Sequence, residues 1–515
     1  MSLWKKTSCI CCAQNCGLEV LVERNRIVKV RSDKQNPRSR GYCCRKGLQI
    51  AHYQHHEDRL KHPLKRVDGE FKKISWDQAL DEIAEKLKSI IGAHGARSLA
   101  YMGGGGQGCH FEAAFGVRLL RALGSHYHYN ALAQELTGYF WVNGRAFGRQ
   151  YLGTIPDIDH TEILLAIGWN GWMSHQIPQA RWQLNRIAED PDRLLVVIDP
   201  RLSETAQRAD VHLAVRPGTD ALLLRAMISV ILREGWQKRT YIENYVSGFE
   251  SVKPWFLDFD PRPAVNLCQL DYDQVYETCK LLTTRKWSCH SDLGILMGRH
   301  STVSSYLELI LLAICGRIGS PGGNFIPGHV MPLGAHSDER DPHTWRTVST
   351  NFPAIMGVFP PNVMPEEILA DRPERLRAVL VSGSNPLRSY ADTTAYEKAF
   401  NALDLLVVVD VAFTETAALA HYVLPALSAY EKWDGSFFPL NFPDVFFQMR
   451  RPVIQFEGEC LEEGEIYTLL ADRLGLLPEI PKTLYDAASD DRTNFGAQLL
   501  SFAQTEPRAI RFMPF

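Results

Sequence analysis

The sequence has no surplus of positive charge, no long apolar run, no low-complexity tract and no short tandem repeat. Its 56 Lys and Arg against 59 Asp and Glu leave a formal charge of -3. That implies no strongly basic surface and weakens a nucleic-acid reading, which needs a clustered Lys/Arg footprint. The nearest approach to a membrane segment, Leu307 to Gly316, is short and carries Glu308, whereas a span takes roughly 18 apolar residues or more. The opening Met1-Ser-Leu-Trp-Lys-Lys shows neither an apolar export core nor a twin-Arg pair, so the expected location is cytoplasmic, with no direct membrane span. What remains is a 515-residue chain, 45% hydrophobic and 22% charged, of ordinary globular composition and long enough for roughly three domains.

Cysteine is unevenly spread. Six of the twelve lie in the first 44 residues: Cys9, Cys11, Cys12, Cys16, Cys43 and Cys44. In a reducing compartment such clustering reads as metal ligation, not disulfide pairing. The scattered six read as small buried hydrophobes.

Hydrophobic patterning divides the rest. Glu19–Glu23 and Arg26–Arg31 alternate like two half-buried strands. Ser75-Trp-Asp-Gln78 has capping-box spacing ahead of an amphipathic helix. Buried strands are expected at Ser98–Met102, Glu162–Ile167, Arg193–Ile198, Arg377–Ser382 and Leu405–Val409, and helices at Phe111–Leu123, Gln179–Ala188, Ala221–Glu234 and Tyr396–Leu403. Continuous apolar strands alternating with helices predict an α/β fold with parallel sheets covered on both faces. Gly316-Arg-Ile-Gly-Ser-Pro-Gly-Gly323 opens a Gly/Pro-rich stretch reaching about Pro361, suited to a connection or a site lining.

Cys9-x2-Cys12-x3-Cys16 followed by Cys44 is the most specific motif. Four thiolates can hold a [4Fe–4S] cluster, with one loop supplying three of them. A four-Cys zinc site is the alternative, but it usually comes as two CxxC pairs. Cys11 and Cys43 read as bystanders able to substitute. Lys46, in Cys44-Arg-Lys-Gly47, could stabilise an anionic sulfur cage and reach a neighbouring cofactor.

The Cys9/Cys12/Cys16/Cys44-Arg-Lys-Gly arrangement resembles the opening of molybdopterin oxidoreductases, a family that includes formate dehydrogenase, nitrate reductase and acetylene hydratase. Later segments resemble that family in order: Ile74-Ser-Trp-Asp-Gln-Ala-Leu, Gly168-Trp-Asn170-Gly with His175, Asp199-Pro-Arg201, Arg216-Pro-Gly218-Thr-Asp220, Gly316–Gly323, Gly383-Ser-Asn385-Pro, Thr414-Glu-Thr416 and Leu424-Pro with Glu431. The resemblance implies bis(molybdopterin guanine dinucleotide) carrying Mo or W, with the cluster beside one pterin. It implies a small-molecule substrate and a redox partner protein or electron-carrying subunit. The implied cofactor-binding residues are Lys46, Gly168, Asn170, His175, Asp199, Arg201, Gly218, Asp220, Gly383, Asn385, Asp410 and Thr414. Strand-end loops are where α/β sheets bind dinucleotides. Read singly, Asp-Pro and Gly-Ser-Asn-Pro are also common turns. The Gly103–Gly108 run reads equally as pterin lining or a turn.

The implied architecture is an iron–sulfur domain at 1–58, a discontinuous α/β domain at 59–128 with 336–480, an inserted doubly wound α/β domain at 129–335, and an extension at 481–515. The family's C-terminal β-barrel is expected to be on a separate subunit, cut off from this sequence, or absent. The family's side-chain metal ligand would fall at Ala131 or Leu132, less readily Ala133, none of which can bind metal; Glu135 is the nearest carboxylate. Candidate proton-transfer groups are Glu135, His175, His300 and His329. The family's formate-binding Arg aligns with Pro327, which argues against a strict formate dehydrogenase. The hydratase's Asp after the second cluster Cys is Ala13 here. A large subunit of this fold without a working metal site, passing electrons only, is the other alternative.

Overall fold

The computed structural model describes residues 3–104, 108–330, 334–437, 440, 442–490 and 492–505. Residues 105–107 of the Gly103–Gly108 run, and the end of the 481–515 extension from 506 onward, lie outside the described residues.

Strands apolar on both faces require cover on each side, and two parallel sheets supply the frame. The larger runs in the order Glu70–Lys73, Leu64–Val67, Tyr422–Pro425, Leu405–Asp410, Ala378–Ser382, Leu99–Gly103 and Tyr127–Tyr129. Its last five strands are mutually parallel, and the hairpin of the first two joins antiparallel. Ala378 pairs with Leu99 on one side and Leu405 on the other, so segments far apart in sequence become central neighbours. Alternation divides the core: Val379, Val381, Leu406 and Val408 pack on one face, and Leu380, Leu405, Val407 and Val409 on the other.

The smaller sheet runs Val211–Leu213, Leu194–Ile198, Ile163–Ile167 and Trp287–Ser291, all parallel. Ile163, Leu165 and Ile167 face one core, and Leu164 and Ala166 the other. The α/β expectation and its principal strands therefore hold. At the N-terminus Leu3–Ser8, Gly17–Glu23 and Arg26–Ser32 form an antiparallel meander.

Ser75 caps helix Trp76–His94, accepting from the Gln78 N–H at 3.1 Å. The reciprocal half of the capping box is missing, because the Gln78 amide donates to Glu82 instead. The Gly/Pro-rich stretch is largely irregular, with the short strand Asn324–Phe325 pairing to Ile155–Pro156. Among the described residues no helix is long and apolar enough to cross a membrane.

Candidate active site

The cysteine loop is closed by the Cys9 N–H donating to the Cys16 carbonyl at 2.8 Å and by the Asn15 amide donating to the Cys9 carbonyl at 3.0 Å. A hydrogen bond with Cys11, then burial, holds the Cys9 thiol far above its ordinary value, and the same bond lowers Cys11 to about 7. Burial raises Cys12 and pushes Cys16 up to about 12, with Cys44 adding repulsion in both cases. Burial also raises Cys43, with Cys16 and Cys44 repelling it. A Cβ on Gly47 would meet the Cys43 sulfur at 2.6 Å and the Cys9 sulfur at 3.0 Å. Cys9, Cys12, Cys16 and Cys43 therefore share one desolvated group with Cys44 close by, while Cys11 is exposed; Cys43 is not set apart from the motif cysteines. Among the described residues no three His, Cys, Asp or Glu side chains close on a single ion. Buried, mutually repelling thiols fit a multi-iron cage, whose positive charge removes their cost.

This loop docks on the smaller-sheet unit. The Gln14 amide donates to the Gln176 carbonyl at 2.7 Å, and the Gln179 amide to the Arg38 carbonyl at 3.2 Å. The Tyr42 hydroxyl and the His175 Nδ1 are 3.0 Å apart. His175 ends the single-turn helix Gly171–Ser174 with φ 69 and ψ -91, and Gln176 follows at φ 60. Two adjacent non-glycine residues in the left-handed region cost roughly 1–3 kcal/mol each and mark functional segments. Burial, then Lys46 and Arg181, lowers His175 to about 4, and Lys46 also opposes the rise at Cys12, so its charge acts on both the thiols and this imidazole.

The strand ends repeat one construction. In the smaller sheet, Gly168 turns at φ +58 after strand Ile163–Ile167, and its N–H donates to the Ile198 carbonyl at 2.9 Å. The Asn170 amide donates to Glu204 at 2.7 Å and accepts from the Thr205 hydroxyl at 2.9 Å. Arg201 pairs with Glu204 at 3.0 Å, and its N–H caps Asp199 at 2.8 Å. In the larger sheet, Gly383 turns at φ +53 after Ala378–Ser382 and donates to the Val409 carbonyl at 2.9 Å. The Asn385 amide donates to Glu415 at 2.8 Å and accepts from the Thr416 hydroxyl at 2.7 Å, with Arg388 on Glu415 at 2.7 Å. Thr414 caps the helix that carries both.

Carboxylates stand beside each half-site. Burial, then Asp199, raises Asp220 at the start of helix Asp220–Arg233, next to the Gly218 turn at φ +82. Burial pushes Asp410 up to about 6. Gly168 also leaves room for Gly294, whose N–H reaches the Gly168 carbonyl at 3.1 Å; a Cβ on Gly168 would lie 2.6 Å from the Ile295 nitrogen.

A chamber of about 480 Å³ opens beside the cysteine loop. Cys11 to Gln14, Gly104, Gln176 to Pro178, Leu132, Glu135 and His329 line it. Glu135 closes the one-turn helix Leu132–Glu135, and its carboxyl is raised by burial and by Asp292. Burial lowers His329, whose Nε2 is buried without a hydrogen-bond partner among the described residues. His300 is not brought here: it is exposed at the N-cap of helix Ser301–Ile314 and does not line the chamber.

Sequence reasoning missed the bracing acids Glu204 and Glu415 and the inner wall of the chamber, Cys289 to Asp292 with Glu308. The acids had a signal. Gly-x-Asn and Asp-x4-Glu-Thr occur in both halves, at 168–170 with 199–205 and at 383–385 with 410–416.

Residues 59–473 match the family model described as molybdopterin oxidoreductase, and residues 3–56 the molybdopterin oxidoreductase Fe4S4 domain. The chain is 28% identical to the F420-dependent formate dehydrogenase subunit alpha of Methanocaldococcus jannaschii, over 91% of this chain and 70% of that protein. It is 26% identical to the nitrate reductase of Symbiobacterium thermophilum, over 92% of this chain and 66% of that one. Among solved structures, acetylene hydratase from Pelobacter acetylenicus matches with a TM-score of 0.77 at 24% identity, covering 92% of this chain and 69% of that chain.

Proposed function

As the chain belongs to the molybdopterin oxidoreductase family, an oxidoreductase family with a [4Fe–4S] cluster and a molybdopterin cofactor, we propose that it binds that cofactor in its bis(guanine dinucleotide) form with Mo or W. The observation that carries this is the repeated half-site: Asn170 with Glu204 and Thr205, and Asn385 with Glu415 and Thr416, at strand ends of two different sheets. One dinucleotide would sit at each, where glycine turns admit a pyrophosphate and carboxylates accept from guanine N–H groups. Asp199 and Asp220 serve the first half-site and Asp410 the second.

Cys9, Cys12, Cys16 and Cys44 would hold the cluster, and the Lys46 charge acts on both its thiols and His175. When bound, the metal supplies two-electron chemistry and the cluster passes single electrons to a redox partner protein. The chamber beside the cysteine loop is the substrate site on this reading. Glu135 and His329 line it and are the groups placed to hold or move a proton there. The strained His175–Gln176 turn and the Gln14 bond fix the cluster loop against the wall of the chamber. An organic substrate is favoured over formate, since Pro327 stands where the family's formate-binding Arg aligns.

The test is composition of the full chain purified without oxygen. About four iron atoms, Mo or W, and a guanine nucleotide for each half-site are the expected result. Iron without Mo, W or guanine would replace this reading with that of an electron-transfer subunit. Asn385→Ala should lower guanine content by roughly half, because distant half-sites act independently. Unchanged guanine in that variant would remove the second half-site assignment.

A further inference from the structure

Helix Ser301–Ile314 is apolar along most of its length, yet it buries Glu308 at 7% exposure. The carboxyl reaches the chamber against the end of strand Trp287–Ser291. Its Oε1 accepts from the Ser291 hydroxyl at 3.2 Å, the Cys289 thiol is a weak hydrogen-bond donor to the carboxyl, and its Oε2 is buried with no stronger donor among the described residues. A carboxyl oxygen buried without a partner is costly unless a ligand or a proton answers it.

The rest of the lining points the same way. Its carboxyls are Glu135, Asp292 and Glu308 and its imidazoles His110, His290 and His329. In all six, burial is the first cause of a shift toward the uncharged form. Among the described lining residues there is no Lys or Arg; Arg149 near His329 and Lys46 near Cys11 and Cys12 are outside the lining. Leu136, Phe140, Ile155, Ile177 and Leu296 make most of the remaining wall apolar. Such a wall itself favours an uncharged ligand, and compensation for a small anion would fall to Lys46 and to the metal rather than to the lining.

We propose that this chamber takes an uncharged, largely apolar organic molecule whose acceptor oxygen or nitrogen is hydrogen-bonded by the Glu308 carboxyl. The proposal rests on the assignment of the chamber as the substrate site. Ser291 holds Oε1, which leaves Oε2 to carry the proton toward the ligand. The groups facing Glu308 are Ser291 and Cys289 on the strand and the Tyr139 phenol on helix Thr137–Phe147, with His290 and Asp292 adjacent on the strand end. Burial pushes Glu308 up to about 7. The donor form therefore prevails below that value and is lost as pH rises through it.

The matched probes are benzamide and benzoate, alike in shape and different in charge. Calorimetric titration of the full-length protein needs no turnover. At about pH 6, benzamide should bind at least about tenfold more tightly than benzoate. Its affinity should fall toward about pH 8 in the wild type, on the far side of the Glu308 titration. Glu308→Gln, which keeps a donor and cannot ionise, should bind benzamide at both values with no such fall. Glu308→Leu should weaken benzamide by about fivefold to tenfold, the loss of one hydrogen bond. The proposal is overturned if benzamide does not bind. Equal binding of benzoate, or undiminished benzamide binding by Glu308→Leu, also overturns it. Fe, Mo and W are measured on the same preparation. Protein short of Mo and W that still shows the pattern would remove the redox assignment and leave the ligand class standing.

Discussion

Replacing Cys16 with alanine is expected to empty the N-terminal unit of iron. Cys16 contributes twice: its carbonyl closes the loop by accepting from the Cys9 N–H at 2.8 Å, and its thiol is one of the buried group. The alanine variant keeps the backbone bond and loses only the sulfur. Three protein thiolates hold a four-iron cage poorly, and the meander around it has a small core of Cys9, Leu18, Val20, Val22, Ile27 and Ile50 closed by Tyr430, Val453 and Ile454. Metal affinity in such a unit is also folding free energy. Iron should therefore drop to a small fraction of the wild-type content, and the visible charge-transfer absorbance should vanish. Protease sensitivity of the first 56 residues should rise with it.

The comparison with Cys11→Ser and Cys43→Ser decides a point of geometry. Cys43 is desolvated with the motif thiols and approaches Gly47 more closely than Cys9 does, and Cys11 hydrogen-bonds Cys9 from an exposed position. Both serine variants should retain iron if the ligands are Cys9, Cys12, Cys16 and Cys44. Iron loss from Cys43→Ser with retention in Cys44→Ser would move the fourth ligand by one residue. Full iron in Cys16→Ala would end the cluster assignment for this loop.

The pattern of strands was legible because burial on both faces leaves an unbroken apolar run, as in Ile163–Ile167 and Leu405–Asp410. The edges of the sheets were not. Tyr127–Tyr129 and the hairpin Leu64–Val67 with Glu70–Lys73 are short, and their residues alternate weakly. Helices between Arg239 and Thr284 carry little continuous pattern, and one contains Pro254. The site divided in the same way. Cysteine spacing and strand-end Gly, Asn and Asp are local signals that a sequence displays. Glu308 is not, because only the fold shows that its helix turns that side chain into a chamber rather than into solvent. His300 is the converse: a histidine at a helix start looks functional in sequence and is exposed in the structure. The pairing of Asn170 with Glu204 and of Asn385 with Glu415 lay in between, since the repeated spacing was present but its meaning depends on contacts across 34 and 30 residues.

The largest loss of stability is expected from Asp434→Ala. Asp434 and Arg450 face each other across the antiparallel ribbon Asp434–Ser436 and Gln448–Arg450, both side chains fully buried, with Nη2 to Oδ2 at 2.8 Å. The same carboxylate accepts from the N–H groups of His110 and Phe111 at 3.2 Å each and from Gly435 at 2.8 Å. His110 and Phe111 open helix His110–Ala122, where N–H groups have no partner within the helix and a negative charge is favoured. One carboxylate thus neutralises a buried guanidinium and caps the helix that follows the glycine-rich run. Alanine removes both functions and leaves Arg450 without its carboxylate, for which a loss of about 3–5 kcal/mol is typical. A large shift of the denaturant midpoint should accompany faster amide exchange at His110 and Phe111, measured on the protein with and without its cofactors. Asp434→Leu combined with Arg450→Met should recover much of the midpoint, because well-packed apolar pairs replace buried ion pairs at little cost. If Asp434→Ala unfolds where the wild type does, the ion pair carries no net stability and the helix is held by packing against the Tyr101 face of the larger sheet instead. His110 lines the chamber. Loosening its helix should therefore weaken benzamide binding in Asp434→Ala, and the double variant should restore it together with the midpoint.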